Sequence, residues 1–330
     1  MEKLDLSRQE EASLEDDEFE EMLQNFPKER NWVSGFLYFC QGFWVADLSI
    51  RSQVSFSQNF LARDNDLVLA SCPKSGTTWL KALAYSIVNR SRFALSNANN
   101  PLLKLNPHDL VPYVDMDLYS RYQPIYFENI PEPRLLCTHT PFESLPPSFK
   151  SSNCKIVYIC RNPMDTFVSL WHFVSKFESE TELAPIQECF DKFCRGVHVF
   201  GPFWDHILGY WKASLETPHK VLFIKYEDVK NDVVFYIKHI AEFLGFPFSE
   251  EEERQGLIKE IAEVCSFEKM KNLKVNIDGK HHSGKPNKNL FRKGEVGDWK
   301  NYFTPSMIER MEKLIHDKFK NSNLVFNFSP

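Results

Sequence analysis

The chain has 330 residues, of which 43% are hydrophobic, enough to fill one large core or two ordinary ones. Its formal net charge of −6 argues against general binding of nucleic acid or of anionic membranes. Eight cysteines are scattered without a C-x-x-C pair, which predicts reduced thiols rather than a zinc site or a disulfide framework.

Residues 1–25 are acidic and read as a mobile tail. This opening lacks the basic and apolar regions of a signal peptide, and no apolar run is long enough to span a bilayer, so a cytoplasmic protein is expected. From Phe26 the stretch "FPKERNWVSGFLYFCQGFWV" is dense in aromatic residues and is expected to pack onto the core and wall an apolar pocket. Four short apolar runs, Leu67–Ser71, Arg134–Thr138, Lys155–Cys160 and Val221–Lys225, read as strands covered on both faces. "TTWLKALAYSIV" and "NPMDTFVSLWHF" have helical spacing, the second with Pro163 near its start. The expected fold is α/β, a single domain with a central parallel sheet flanked by helices, of the phosphate-loop nucleotide-binding kind. Residues 271–293 are polar, basic and punctuated by glycine and proline, which predicts a long lid-like or disordered loop with His281 and His282 in solvent.

The residues just past each strand carry the chemistry. The first run leads into Lys74-Ser75-Gly76-Thr77-Thr78-Trp79, the second into His139, the third into Arg161 and the fourth into Tyr226. Ligands of open α/β sheets bind outside the carboxyl ends of the strands, so these groups are expected to meet. Backbone N–H groups of Ser75 to Thr78 fall at a helix start, where unpaired donors and the dipole attract an anion. Lys74 adds a full charge and the threonine hydroxyls add donors. The spelling differs from G-x-x-x-x-G-K-[ST], because Lys74 precedes Gly76. Trp79 suits either the core or a stack on a planar base. Arg161 is placed for bidentate phosphate contact, with Ser169 eight residues on along the same edge, and Arg292-Lys293-Gly294 form a third basic cluster. Three such clusters suggest a nucleotide phosphorylated at two positions of its sugar.

"PKSGTTWLKAL", the strand-end Thr138-His139, "RNPMDTFVSLWHF" and "RKGEVGDWKNYF" together resemble the cytosolic sulfotransferases, and the text as a whole is most similar to their plant branch. The resemblance runs from about Phe26 onward, which implies a sulfotransferase domain over 26–330. It implies 3′-phosphoadenosine 5′-phosphosulfate (PAPS) as donor, with no metal required. Lys74 to Trp79 would surround the 5′-phosphosulfate, with Trp79 on the adenine. Arg161, Ser169 and Arg292-Lys293-Gly294 would hold the 3′-phosphate. Tyr226 would face the nucleotide, and Phe267 with Met270 would close over the base. His139 would be the general base for the acceptor hydroxyl, and Lys74 would stabilise charge on the leaving bridge oxygen.

Two positions depart from the family pattern. Cys137 stands where some animal members have a lysine, and Pro305 interrupts the dimerisation signature at Lys300, Thr304 and Glu309, so a monomer or weak homodimer is expected. A kinase or NTPase would require a GK[ST] lysine and a strand-end aspartate, and neither is present at these strands. A binding module without catalysis would leave His139 without a task. The aromatic segments around Phe36–Trp44, "PHDLVPYVD" and "GPFWDHILGYW" suggest an apolar pocket for a small hydroxylated acceptor of phenolic, flavonoid, hormone-like or desulfoglucosinolate type.

Overall fold

A computed structural model of the protein describes residues 19, 21–93, 99–116, 130–176, 183–281 and 284–328. Most of the acidic opening lies outside them, as does His282. Within its last part, residues 21–24 are helical and Leu23 is buried against Cys40, Phe43, Val45, Ile50 and Phe200.

The aromatic stretch after Phe26 folds as a three-stranded antiparallel sheet of β1 (Lys28–Arg30), β2 (Phe36–Cys40) and β3 (Phe43–Ala46). Gln41 and Gly42 join β2 to β3 with φ of 54° and 88°, the pair of left-handed residues that a two-residue hairpin turn requires. Helix α1 (Asp47–Asn59) then leads into the main sheet.

That sheet has the order β5-β4-β6-β7, all parallel: β5 is Leu135–Thr138, β4 Leu67–Ser71, β6 Lys155–Cys160 and β7 Val221–Lys225. Three strands coincide with the expected runs, and β5 begins one residue late. Arg134 sits just outside it and sends its guanidinium onto Asp66, the residue before β4, with Nε–Oδ1 at 2.7 Å and Nη2–Oδ2 at 2.6 Å.

Every strand is apolar on both sides because both faces are covered. Val68, Ala70, Leu136, Ile156 and Tyr158 face helices α3 (Pro163–Val174), α4 (Ile186–Cys194), α5 (Phe203–Glu216) and α8 (Pro305–Phe319), through residues such as Phe167, Phe193, Tyr210 and Met311. Leu67, Leu69, Leu135, Val157 and Ile159 face α2 (Thr77–Asn89), α6 (Val233–Leu244) and α7 (Leu257–Val264), through Leu83, Ile237 and Ile261. Each buried side chain of this size contributes roughly 1.5–3 kcal/mol relative to exposure.

Pro305 is the first residue of α8, where its missing N–H costs nothing, and Thr304 caps the helix by accepting from Met307 N–H at 3.3 Å. The long loop expected over 271–293 is instead mostly turned. Short helices Phe267–Lys271 and Lys274–Ile277, a 3₁₀ turn Asn287–Leu290 and a bridge between Lys280 and Pro286 organise it. Two buried amides satisfy its backbone. Asn276 donates to Met270 O at 2.7 Å and accepts from Asn106 at 2.8 Å, while Asn287 donates to Val275 O at 3.0 Å.

Candidate active site

The chain leaves β4 through Cys72 and Pro73 and turns back at Lys74, whose φ of 69° is left-handed. Gly76 caps α2 with φ of 108°, and a Cβ there would lie 2.7 Å from the ring of Tyr226. The glycine is therefore demanded by the backbone and by Tyr226 packed beneath it. Ser71, the last residue of β4, joins Thr77 at 2.6 Å between hydroxyls. Its carbonyl also accepts from Nδ1 of His139 at 2.7 Å. One residue thus ties the 74–79 loop to the expected base.

His139 is held from three further directions. Its backbone N–H donates to Asp115 Oδ2 at 2.6 Å, and that oxygen also accepts from the hydroxyls of Thr138 (2.9 Å) and Thr140 (3.1 Å). Its carbonyl accepts from Nε2 of His206 at 2.7 Å, while Nδ1 of His206 takes a hydrogen bond from the hydroxyl of Tyr158 at 2.9 Å. Its ring lies between Tyr113 (4.8 Å between centroids) and Phe200 (5.4 Å), and Phe200 stacks on Phe43 of β3. Of these rings Tyr113 lies in a segment expected to wall a pocket, and Phe200 immediately precedes another. Burial pushes the His139 imidazole down to about 3, against the support of the Ser71 carbonyl, with Lys81, His206 and Lys74 adding repulsion. A neutral ring donating from Nδ1 keeps a lone pair on Nε2. Asp115 is itself pushed up by burial despite its three donors.

Lys74 lies with Nζ 3.8 Å from the centre of the Phe173 ring. Although the residue is only half-buried, desolvation and then Lys176, Arg161 and Arg292 push its ammonium down to about 7. An anion in the loop would restore the proton. Free Lys74 loses charge as pH rises through about 7 while the complex keeps it. Anion binding should then take up a proton and weaken by up to about tenfold per pH unit above that point. Calorimetry at pH 8 in two buffers of unlike ionisation enthalpy measures this, and identical heats would count against it.

The other strand ends meet the same region. Arg161, after β6, is buried, donates from Nη2 to Glu295 O, lies 3.6 Å from Asp165 and places its guanidinium 4.6 Å from the centre of the Tyr226 ring. Tyr226 is buried and donates to Gly294 O at 3.1 Å, so it fastens loop, arginine and C-terminal segment together and presents little open face. Ser169 is buried on α3, the helix that follows Arg161. Gly294 has φ of 68°, and a Cβ on it would come 2.6 Å from Phe267. Phe267 is partly buried against Phe291, at 6.1 Å between centroids. Met270 is 2% exposed and belongs to the core, so Phe267 is the accessible member of the pair expected to close over a base. Trp79 is half-buried and edge-on to Tyr226 at 5.4 Å.

Several residues of the site were not singled out by the sequence. Asp298 pairs with both Arg292 and Lys293, the latter at 2.6 Å, and also accepts from Asn301. Burial opposes its charge, but these donors hold the carboxyl down to about 2. Asp165 accepts from the N–H groups of Gly297 (2.8 Å) and Trp299 (3.0 Å) and so ties the C-terminal segment to the start of α3. His281, expected in solvent, lies edge-on to buried His108 at 6.2 Å because the turned 271–293 segment folds back over that ring. Cys137 is buried in β5.

The fold that brings these residues together is one that known proteins share. The sulfotransferase domain model matches residues 64–323, and the chain belongs to that family. "Cytosolic sulfotransferase 15" of Arabidopsis thaliana is 48% identical over 316 residues, covering 94% of this chain and 88% of the relative. A crystal structure of an Arabidopsis thaliana protein named as a candidate steroid sulphotransferase is 40% identical with a TM-score of 0.75, covering 93% and 94% of the two chains. Mouse sulfotransferase SULT7A1, solved in complex with PAP, is 30% identical with a TM-score of 0.67, covering 87% of this chain and 95% of its own. The protein is an enzyme of the sulfotransferase class and is similar to the plant members of that class, as its motifs implied. Among the described residues, no helix is long and apolar enough to cross a membrane.

Proposed function

We propose that the enzyme takes its sulfuryl group from PAPS and passes it to a hydroxyl of a small apolar acceptor, with His139 as general base. The observation that carries this reading is Ser71, whose hydroxyl holds Thr77 of the loop and whose carbonyl holds Nδ1 of His139. Base and anion site are thereby in fixed register.

The residues fit such a nucleotide. The Nε atoms of Arg161 and Arg292 and the indole N–H of Trp79 are buried donors without a partner among the described residues. Orphaned donors in one neighbourhood favour an anionic, aromatic-bearing ligand that supplies acceptors. The bound donor supplies an activated sulfuryl group. Nε2 of His139 takes the proton of the acceptor hydroxyl. Lys74 offers positive charge where the leaving oxygen gains negative charge, and the loop N–H groups share that task. Arg161, Ser169 and the Arg292–Gly294 segment hold the 3′-phosphate. Tyr113, Phe200 and Phe43 wall the acceptor side, which suits an aromatic or alicyclic alcohol. The reading includes a single domain over 26–330, a cytoplasmic location and a monomer or weak homodimer.

Isothermal calorimetry with adenosine 3′,5′-bisphosphate, ADP, and ATP with magnesium tests the donor. The bisphosphate is expected to bind about 100-fold tighter than ADP, the worth of a charge-assisted phosphate contact. Equal affinities would remove the 3′-phosphate role of Arg161 and Arg292–Gly294, and preference for ATP with magnesium would point to phosphoryl chemistry.

A further inference from the structure

Behind the anion loop lies a polar chain that sulfuryl transfer itself does not use. Lys81, on α2, is fully buried, with Nζ 3.0 Å from Nδ1 of His108 and 3.3 Å from the centre of the Tyr113 ring. His108 is buried too, is stacked on Tyr113 at 5.4 Å, and has Nε2 2.9 Å from the hydroxyl of Thr78. Thr78 belongs to the loop, and its neighbour Thr77 is already engaged by Ser71.

With Lys81 as an ammonium, elementary chemistry fixes the direction of each hydrogen bond in this chain. A lysine ammonium only donates, so Nδ1 of His108 accepts from it. A neutral imidazole has one N–H, which must then sit on Nε2 and point at Thr78. The threonine oxygen accepts that bond, and its own hydrogen is turned away from the ring. The aromatic face under Nζ favours the charged form of Lys81 inside the protein. Burial first, then repulsion from Lys81, His281, Lys74 and His139, keeps the His108 ring neutral, as the directed chain needs.

We propose that Lys81 and His108 are positioning residues that set the Thr78 hydroxyl as a committed donor to the 5′ end of the bound nucleotide. A hydroxyl in water chooses between donating and accepting; here the acceptor choice is already taken, so the anion meets an oriented O–H. The proposal rests on PAPS as the donor, because it needs an anionic group at the loop.

The test separates the two ends of the nucleotide. Calorimetry compares adenosine 3′,5′-bisphosphate with adenosine 3′-phosphate, which lacks the 5′ group, for the wild type, Lys81→Met, His108→Phe and His108→Gln. Phe keeps the stack on Tyr113 and loses both hydrogen bonds; Gln retains an acceptor for Lys81 and a donor for Thr78. The bisphosphate is expected to bind about tenfold more weakly to Lys81→Met and His108→Phe, the worth of one charge-assisted hydrogen bond. Adenosine 3′-phosphate should bind these variants as it binds the wild type, and His108→Gln should regain most of the loss. Parallel weakening of both nucleotides would reduce the pair to a structural role, and no weakening of either would remove the relay. Nitrogen-15 spectra of the free protein read the arrangement without nucleotide: hydrogen on Nε2 of His108 supports it and hydrogen on Nδ1 overturns it. Failure of the wild type to bind the bisphosphate would count against the donor, whereas normal binding in all three variants would count against the relay alone.

Discussion

Replacing His139 with alanine should lower sulfuryl transfer by about 10²–10⁴-fold, the range that a positioned general base supplies, while nucleotide affinity stays within a few-fold. The separation arises from where the residue sits. Its side chain hangs from the Ser71 carbonyl at the end of β4, and the loop that would hold the anion is built from residues 74–79 and needs no atom of the imidazole. His139→Asn checks against collapse of the site, since its amide N–H can still reach that carbonyl but offers no basic nitrogen. Turnover is measured with any hydroxylated compound that the wild type sulfates. Loss of nucleotide binding in step with turnover would make His139 a structural residue. With its imidazole held neutral down to about pH 3, the free enzyme should show no acid limb near pH 6.5 attributable to this residue.

Replacing Arg161 with methionine should weaken binding of adenosine 3′,5′-bisphosphate by about 10–100-fold and leave the weaker binding of ADP nearly unchanged. Methionine keeps much of the apolar stem against Tyr226, so the comparison isolates the guanidinium. The buried Nε of Arg161 has no protein partner among the described residues, and Asp165 at 3.6 Å is itself occupied by Gly297 and Trp299. An incoming phosphate therefore meets a cation that the protein has not fully neutralised. Calorimetry with both nucleotides decides it, and an equal loss for ADP would show that the residue supports the fold of the segment and reads no 3′-phosphate.

The parts of this protein that chemistry places at strand ends were visible in the sequence. Continuous apolar runs announce strands buried on both faces, and the polar residue after each run marks the rim where ligands gather, which is how Lys74, His139, Arg161 and Tyr226 could be found together. The β2–β3 hairpin was legible in principle from Gln41-Gly42 between apolar segments, but the density of aromatic residues there obscured the alternation. Asp115, His206 and Ser71 could not be found that way. Each acts on His139 through a hydrogen bond that exists only after distant segments pack. The same holds for Lys81 and His108, which are 27 residues apart and look like an amphipathic-helix lysine and a loop histidine until burial brings them together. The 271–293 segment misled because its polar composition suits a solvated loop equally well. What orders it is a pair of buried asparagines, Asn276 and Asn287, whose amides replace the backbone partners of regular structure.

Asp298 adds a consequence for the end of the catalytic cycle. Its carboxylate pairs with both Arg292 and Lys293. On the proposed role of that segment, an arriving 3′-phosphate would share or displace this internal anion. The exchange runs in reverse when the spent bisphosphate departs, because the carboxylate stands ready to reclaim the cations. Such a resident competitor would lower affinity for both nucleotides and shorten the time the product stays, which would serve turnover in an enzyme whose donor and by-product carry the same 3′-phosphate.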